Sequence, residues 1–120
     1  MRDIPLFKEL KTLILRTDLE IVAIHLQGDQ ILQNRDIKSV LYTKYLRFLT
    51  LEELSQFGLE KGTINPWSVG PASRHIVDSH VPDGGELYTN DGTLYGSLVF
   101  PAEALKSLPA VTFAHFARDQ

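Results

Sequence analysis

The side chains able to do chemistry in this chain are few, and most stand in unhelpful company. The four histidines, His25, His75, His80 and His115, do not follow HExxH or any other metal-binding spacing. His25 sits inside an apolar run and reads as a hydrogen-bonded structural residue. His75 and His80 bracket Asp78, a set that could offer imidazole and carboxylate ligands. On an extended strand, positions 75 and 78 point to opposite faces, so no metal site is expected. Ser68, Ser73, Ser79 and Ser97 supply hydroxyls, but no Gly-x-Ser-x-Gly elbow singles out a nucleophile. Gly84, Gly85 and Gly92 are turn glycines and do not form a phosphate-binding pattern. There is no cysteine, which excludes a thiolate nucleophile, a thiolate zinc site and a disulfide scaffold.

Two features remain. Lys11 opens an apolar strand, where a lysine packs poorly unless its ammonium reaches solvent or a cleft. The second is Gly62-Thr63-Ile64-Asn65-Pro66, the start of the most irregular stretch of the chain. Each has an ordinary explanation, a lysine at an exposed strand end and a Gly/Pro-rich connector. Each also has a functional one: a cation in a cleft, and a rigid loop whose glycine lets backbone groups approach a ligand closely. The residues by themselves leave both open.

The elements that must position these features follow from hydrophobic patterning. Lys11 to Arg16 and Glu20 to Gln27 read as two strands of a β-hairpin around Thr17-Asp18-Leu19, with Gly28-Asp29 as a closing turn. Both runs are apolar on both faces, the signature of central strands covered on two sides. Asn34 is the expected N-cap of a helix through Ile37, Val40 and Leu41. A short strand is expected over Tyr45 to Leu49. Thr50-Leu51-Glu52-Glu53 forms a capping box for a helix that stops at Gly58. Strands are expected at Arg74 to Asp78, Glu86 to Thr89 and Leu94 to Phe100, then a short helix from Pro101 and a final strand from Ala110 to Phe116. This order lacks regular βαβ alternation. It predicts an α+β fold with a mixed, mostly antiparallel β-sheet and short flanking helices.

The chain has 120 residues, 43% apolar and 22% charged, which suits one domain over 1–120. No apolar run approaches the roughly 20 residues that span a bilayer, and Met1 to Pro5 lead into Lys8 and Glu9 rather than a signal-peptide core. No membrane partner and a cytoplasmic location are therefore expected. With a net charge of −3, any nucleic acid would have to be held by a local basic patch.

Lys11-Thr12-Leu13-Ile14-Leu15 resembles the lysine strand of the YbaK/prolyl-tRNA-editing family. Gly62 to Pro66, followed by Trp67, is similar to that family's G-x-x-x-P loop. Gly28-Asp29, Asp36-Ile37-Lys38, Ile76 to Ser79, Leu87 to Gly92, Ser97 and Leu105 come in family order, so the resemblance runs from residue 8 to about 112. It implies an aminoacyl-tRNA deacylase that edits mischarged tRNA, with no cofactor. Lys11 would bind the terminal adenosine, and the backbone of Gly62, Thr63, Ile64, Asn65 and Pro66 would hold the ester and orient water. Thr12, Asn90 and Ser97 would line the amino-acid pocket, with Asp78 positioning loop or substrate. The aminoacyl-tRNA 3′ end is the implied partner, and a synthetase a second.

Family members usually carry a helix and strand ahead of the lysine strand that complete the pocket, whereas ten residues precede Lys11 here. The expectations are a fragment of a longer polypeptide, a partner on that side, or a reduced variant. An uncovered sheet edge would favour self-association into a homo-oligomer. The competing functional reading is a non-catalytic module that binds tRNA or a synthetase, or an accessory domain of a larger enzyme.

Overall fold

A computed structural model of the chain describes residues 5–93 and 95–120. Met1–Ile4, read above for a signal peptide, and Leu94, expected to open a strand, lie outside the described residues. In chain order the elements are β1 (Leu10–Arg16), β2 (Ile21–Gln27), β3 (Gln30–Leu32), α1 (Asn34–Leu41), β4 (Arg47–Phe48), α2 (Leu51–Gln56), β5 (Arg74–Asp78), β6 (Glu86–Asn90), β7 (Ser97–Pro101), β8 (Val111–Ala114) and β9 (Ala117–Asp119). Short 3-10 helices occupy Leu6–Lys8 and Ala102–Ser107.

The hairpin forms as expected, in register from Leu10 opposite Gln27 to Arg16 opposite Ile21. Its turn is closed by the Thr17 hydroxyl, which accepts the amides of Leu19 at 3.1 Å and Glu20 at 3.0 Å. A threonine that satisfies two turn amides is a local solution to the backbone's hydrogen-bond demand. The sheet extends in the order β4-β1-β2-β5-β8, with β5 and β8 parallel to their neighbours and the other pairs antiparallel. Two further antiparallel pairs, β3 with β9 and β6 with β7, flank it. The fold is α+β with mixed, mostly antiparallel β structure and short helices.

Both faces of the sheet are covered, as the apolar runs required. Leu15, Val22, Ile24, Leu26 and Ile76 pack under Ile37 and Leu41 of α1 and under Phe116. On the opposite face, Leu10 and Val77 meet Leu87, Phe100 and Leu105, while Ile14 and Ala23 meet Leu49, Leu54 and Ile64. Among the described residues no helix is long and apolar enough to cross a membrane.

Three expectations need correction. Asn34 is the first helical residue rather than the N-cap, which is Gln33 without a side-chain cap. Gln33 is held instead by its amide, 2.8 Å from the Phe116 carbonyl, so a tertiary contact sets where the helix starts. The strand expected over Ala110 to Phe116 ends early, at Ala114 of β8, and a separate strand, β9, begins at Ala117. The cause is Asp78, whose Oδ1 accepts the amides of Phe116 at 2.8 Å and Ala117 at 2.9 Å. A carboxylate takes the place of a neighbouring strand there, and the chain turns to pair with β3, a strand the patterning did not reveal. The short helix expected from Pro101 is present over Ala102–Ser107, but it is 3-10, and Pro101 ends β7 and stands as the helix's N-cap rather than in its first turn.

The capping box is present in full: Thr50 Oγ1 accepts the Glu53 amide at 3.1 Å, and Glu53 accepts the Thr50 amide at 2.9 Å. Glu53 also takes both ends of the Arg47 guanidinium, at 2.6 and 3.0 Å. That fork, with the cap, holds the Glu53 carboxyl down at about 2. It ties β4 to α2, the two elements that form one wall of the main cavity.

Asp78 has no solvent exposure. Burial alone would raise its pKa, but the amides of Phe116, His80 and Ala117 and the His80 ring outweigh it and leave the pKa lowered. A lowered folded pKa stabilises the fold above the unfolded carboxyl value of about 3.9. That contribution is lost as pH falls through the folded pKa. Asp78→Ala should cost about 3 kcal/mol by orphaning buried amides, and should flatten the acid limb of stability measured by urea unfolding between pH 5 and 2.

Candidate functional site

The outer edge of β1 is covered by β4 only at Leu15 and Arg16. Residues 9–14, just before that pairing, form the floor of a cavity of about 700 Å³. Phe48, Leu49 and Thr50 form one wall, and Lys61, Gly62, Ile64 and Asn90 form another. The two features left open by the sequence, Lys11 and the Gly62 loop, therefore border the same space.

The loop is held by a reciprocal clamp. Asn65 Nδ2 donates to the Asn90 carbonyl at 3.2 Å, while Asn90 Nδ2 donates to the Ile64 carbonyl at 2.7 Å. Asn65 Oδ1 accepts the Trp67 amide at 2.9 Å, closing an Asx turn. Trp67 then stands edge-on to Phe100 of β7, with ring centres 4.9 Å apart. Gly62 has φ +88, a conformation in which a side chain would be strained. Among the described residues, the amides of Gly62 and Ile64 enter no hydrogen bond. Two unengaged amides on a pinned loop beside a cavity suit an oxyanion or a carbonyl oxygen.

Lys11 Nζ donates to the Gln30 carbonyl. Burial lowers its pKa, and the Asp29 carboxylate opposes that shift. Asp29 Oδ1 is itself buried and makes no hydrogen bond among the described residues, so its charge acts on Lys11 through space. An ammonium has three donors, and the bond to Gln30 leaves others for a ligand.

Strand alternation sets Thr12 on the opposite face from Lys11. Its hydroxyl lies 2.9 Å from His25 Nδ1, and His25 Nε2 lies 2.9 Å from His75 Nδ1. The two rings are parallel to within 8°, with centres 5.2 Å apart. This buried chain runs from the cavity lining into the core. Desolvation, with His75 adding to it, pushes the His25 pKa down to about 3. His25 is structural, as expected, and its partner His75 explains why a neutral pair is tolerated inside the sheet.

The remaining candidates divide. Thr12 and Asn90 line the cavity with Lys11, Gly62 and Ile64. Thr63 turns away, its amide and hydroxyl both donating to the Glu60 carbonyl at 3.0 and 2.7 Å. Asn65 and Pro66 are buried behind the loop, where Asn65 acts as the clamp. Ser97 pairs with Asn90 across the β6–β7 hairpin but is exposed and outside the cavity lining. Asp78 lines a different depression. Patterning missed Lys61, Phe48 and Asp29. A lysine immediately before the loop glycine was the available signal for Lys61; nothing local marks Asp29 as a partner of Lys11.

Residues 1–108 match the model of the aminoacyl-tRNA editing domain, and the chain belongs to that family. No curated protein matches it. Among solved structures, the hypothetical protein APE2540 superposes with a TM-score of 0.83 at 20% identity, covering 96% of this chain and 77% of that one. A candidate trans-editing enzyme for prolyl tRNA synthetase superposes with 0.82 at 16% identity, covering 95% and 73%. A candidate signal transduction protein from Marinobacter aquaeolei VT8 gives 0.81 at 21% identity, covering 99% of this chain but 27% of that one. At these identities the likeness concerns the fold.

A buried histidine with a lowered pKa stays neutral in the folded state while the unfolded chain takes up a proton below about 6.5. Stability should therefore fall with pH between about 6.5 and 3, by up to about 1.4 kcal/mol per unit from this group. In NMR, the His25 ring resonances should stay constant from pH 8 to 5; a midpoint near 6.5 would contradict the buried chain.

Proposed function

We propose that the protein is an aminoacyl-tRNA deacylase that clears mischarged tRNA in trans. The observation that carries this reading is the shared cavity of Lys11 and the clamped Gly62 loop, in a chain belonging to the editing-domain family. Lys11 and Lys61 are the cations bordering the cavity, a local patch that lets a chain of net charge −3 hold a phosphate or sugar edge. Phe48, half exposed at the rim, offers a face for stacking the terminal adenine. Thr12 and Asn90 border the space for the amino acid.

In the reaction, water attacks the ester carbonyl carbon, the bond to the ribose oxygen breaks, and that oxygen takes up a proton. The products are a free amino acid and uncharged tRNA. Negative charge develops on the carbonyl oxygen in the transition state, where the amides of Gly62 and Ile64 are the available fixed donors. Because the clamp holds them in place before substrate arrives, little reorganisation is needed. Such a substrate fits a cytoplasmic protein that acts beside a synthetase.

A second reading is a non-catalytic module that binds tRNA ends; the same fold also occurs within a much longer chain described as a signal transduction protein. Incubation with a panel of mischarged tRNAs separates the two. The deacylase reading expects ester loss on at least one, slowed about 100-fold by Lys11→Ala if Lys11 binds in the transition state. Gly62→Ala, strained at its positive φ, should lower kcat with a smaller effect on tRNA binding. Binding with no ester loss from any member of the panel would establish the second reading.

A further inference from the structure

Outside the cavity of Lys11, at the end of β5, three groups from two segments of the chain converge. Asp78, His80 and His115 each offer a ligand atom, and these atoms lie within 4.8 Å of one another. We propose that they form a binding site for one divalent transition-metal ion of the zinc class.

The donor set is the first argument. Two imidazoles and one carboxylate are ligands that zinc-class ions accept, with a fourth position left to water. Preorganisation is the second. The Asp78 carboxylate is fully buried and immobilised through both oxygens. Oδ1 accepts the amides of Phe116 and Ala117, which directly follow His115. Oδ2 accepts the His80 amide at 2.9 Å and lies 2.7 Å from His80 Nδ1. The Ser79 amide, 2.8 Å from the Ala114 carbonyl, joins the same two segments again. One carboxylate thus orders both turns that carry the imidazoles, so little chain entropy remains to be lost on binding.

Ring geometry and access agree with this. The His80 and His115 rings are tilted by 57° with centres 5.0 Å apart, an arrangement that lets two nitrogens face a common point. Both side chains are exposed while Asp78 is not, so an ion meets the imidazoles from solvent and reaches the buried carboxylate by taking the place of its hydrogen bond to His80 Nδ1. The ion would stand where His80 Nδ1 now meets Asp78 Oδ2, with the imidazole proton moving to Nε2 and His115 closing a third side. The depression beside it also contains Asp83 and Lys106; the carboxylate offsets the charge that Lys106 sets against a bound cation.

The test uses tag-free, chelator-treated full chain titrated with ZnCl2 by calorimetry and with CoCl2 by visible absorption. The expected result is one ion per chain, with the d–d bands of cobalt in a low-coordinate nitrogen and oxygen site. His80→Ala and His115→Ala alter exposed side chains; each should weaken zinc binding at least about tenfold, and the double variant should lose the cobalt bands. Circular dichroism matching the parent would show that the variants fold, with metal-free melting little changed in His115→Ala and lowered in His80→Ala by loss of the ring's hydrogen bond to Asp78. Absence of saturable one-to-one binding, or binding unchanged in the double variant, would overturn the proposal. Tilted rings and a hydrogen-bonded carboxylate would then be a strand-end anchor only. The site does not depend on the deacylase reading, and either can fail without the other.

Discussion

Everything in this molecule is referred to the seven-residue register between β1 and β2. A slip of one residue would turn every side chain of one strand to the opposite face relative to its partner. Lys11 would leave the side of Gln30, and Thr12 would lose His25. Because both faces of the hairpin are buried, one under α1 and Phe116 and the other under α2 and the β6–β7 hairpin, such a slip would also break two cores at once. The site is thus placed by hydrophobic burial, although none of its polar groups contributes to that burial.

On this frame, a few buried polar groups select one arrangement of the loops. Asn65 and Asn90 each satisfy a backbone carbonyl of the other's segment, so the Gly62 loop and β6 are fixed together. Asp78 does the same for the ends of β5 and β8. His25 and His75 satisfy each other within the sheet. Leaving any of these groups unpaired costs more than the net value of the bond it makes. The consequence is specificity of loop position, which is what a catalytic or ligand site needs from its supports.

Fold and site carry different amounts of functional information. The same architecture is found in a candidate trans-editing enzyme and within a longer candidate signalling protein. Function therefore has to be argued from the cavity, which Lys11 and the pinned Gly62 loop both border, with the partly buried Asp29 carboxylate acting on Lys11 and the Gly62 and Ile64 amides unengaged among the described residues. The convergence of His80 and His115 on Asp78 is a second, separate consequence of the way β8 ends.

The amino-acid sequence by itself determined what depends on neighbours along the chain. The central hairpin, the Thr50 capping box, the stop at Gly58 and the span of β5 are legible because their hydrogen bonds or apolar periods close within a few residues. Lys11 and the Gly62 loop were legible as candidates, and family order joined them. Tertiary structure alone decided that Asn65 is a clamp, that Thr63 turns away, and that Asp29 stands against Lys11. It also ended the last expected strand at Ala114, beside the Asp78 carboxylate, and brought His115 to His80 across 35 positions of sequence. Strand alternation set His75 apart from Asp78, but it says nothing about a residue from a distant segment such as His115, which lies between β8 and β9. These outcomes depend on which buried donors and acceptors meet once the sheet has formed, and no local pattern encodes a partner that distant.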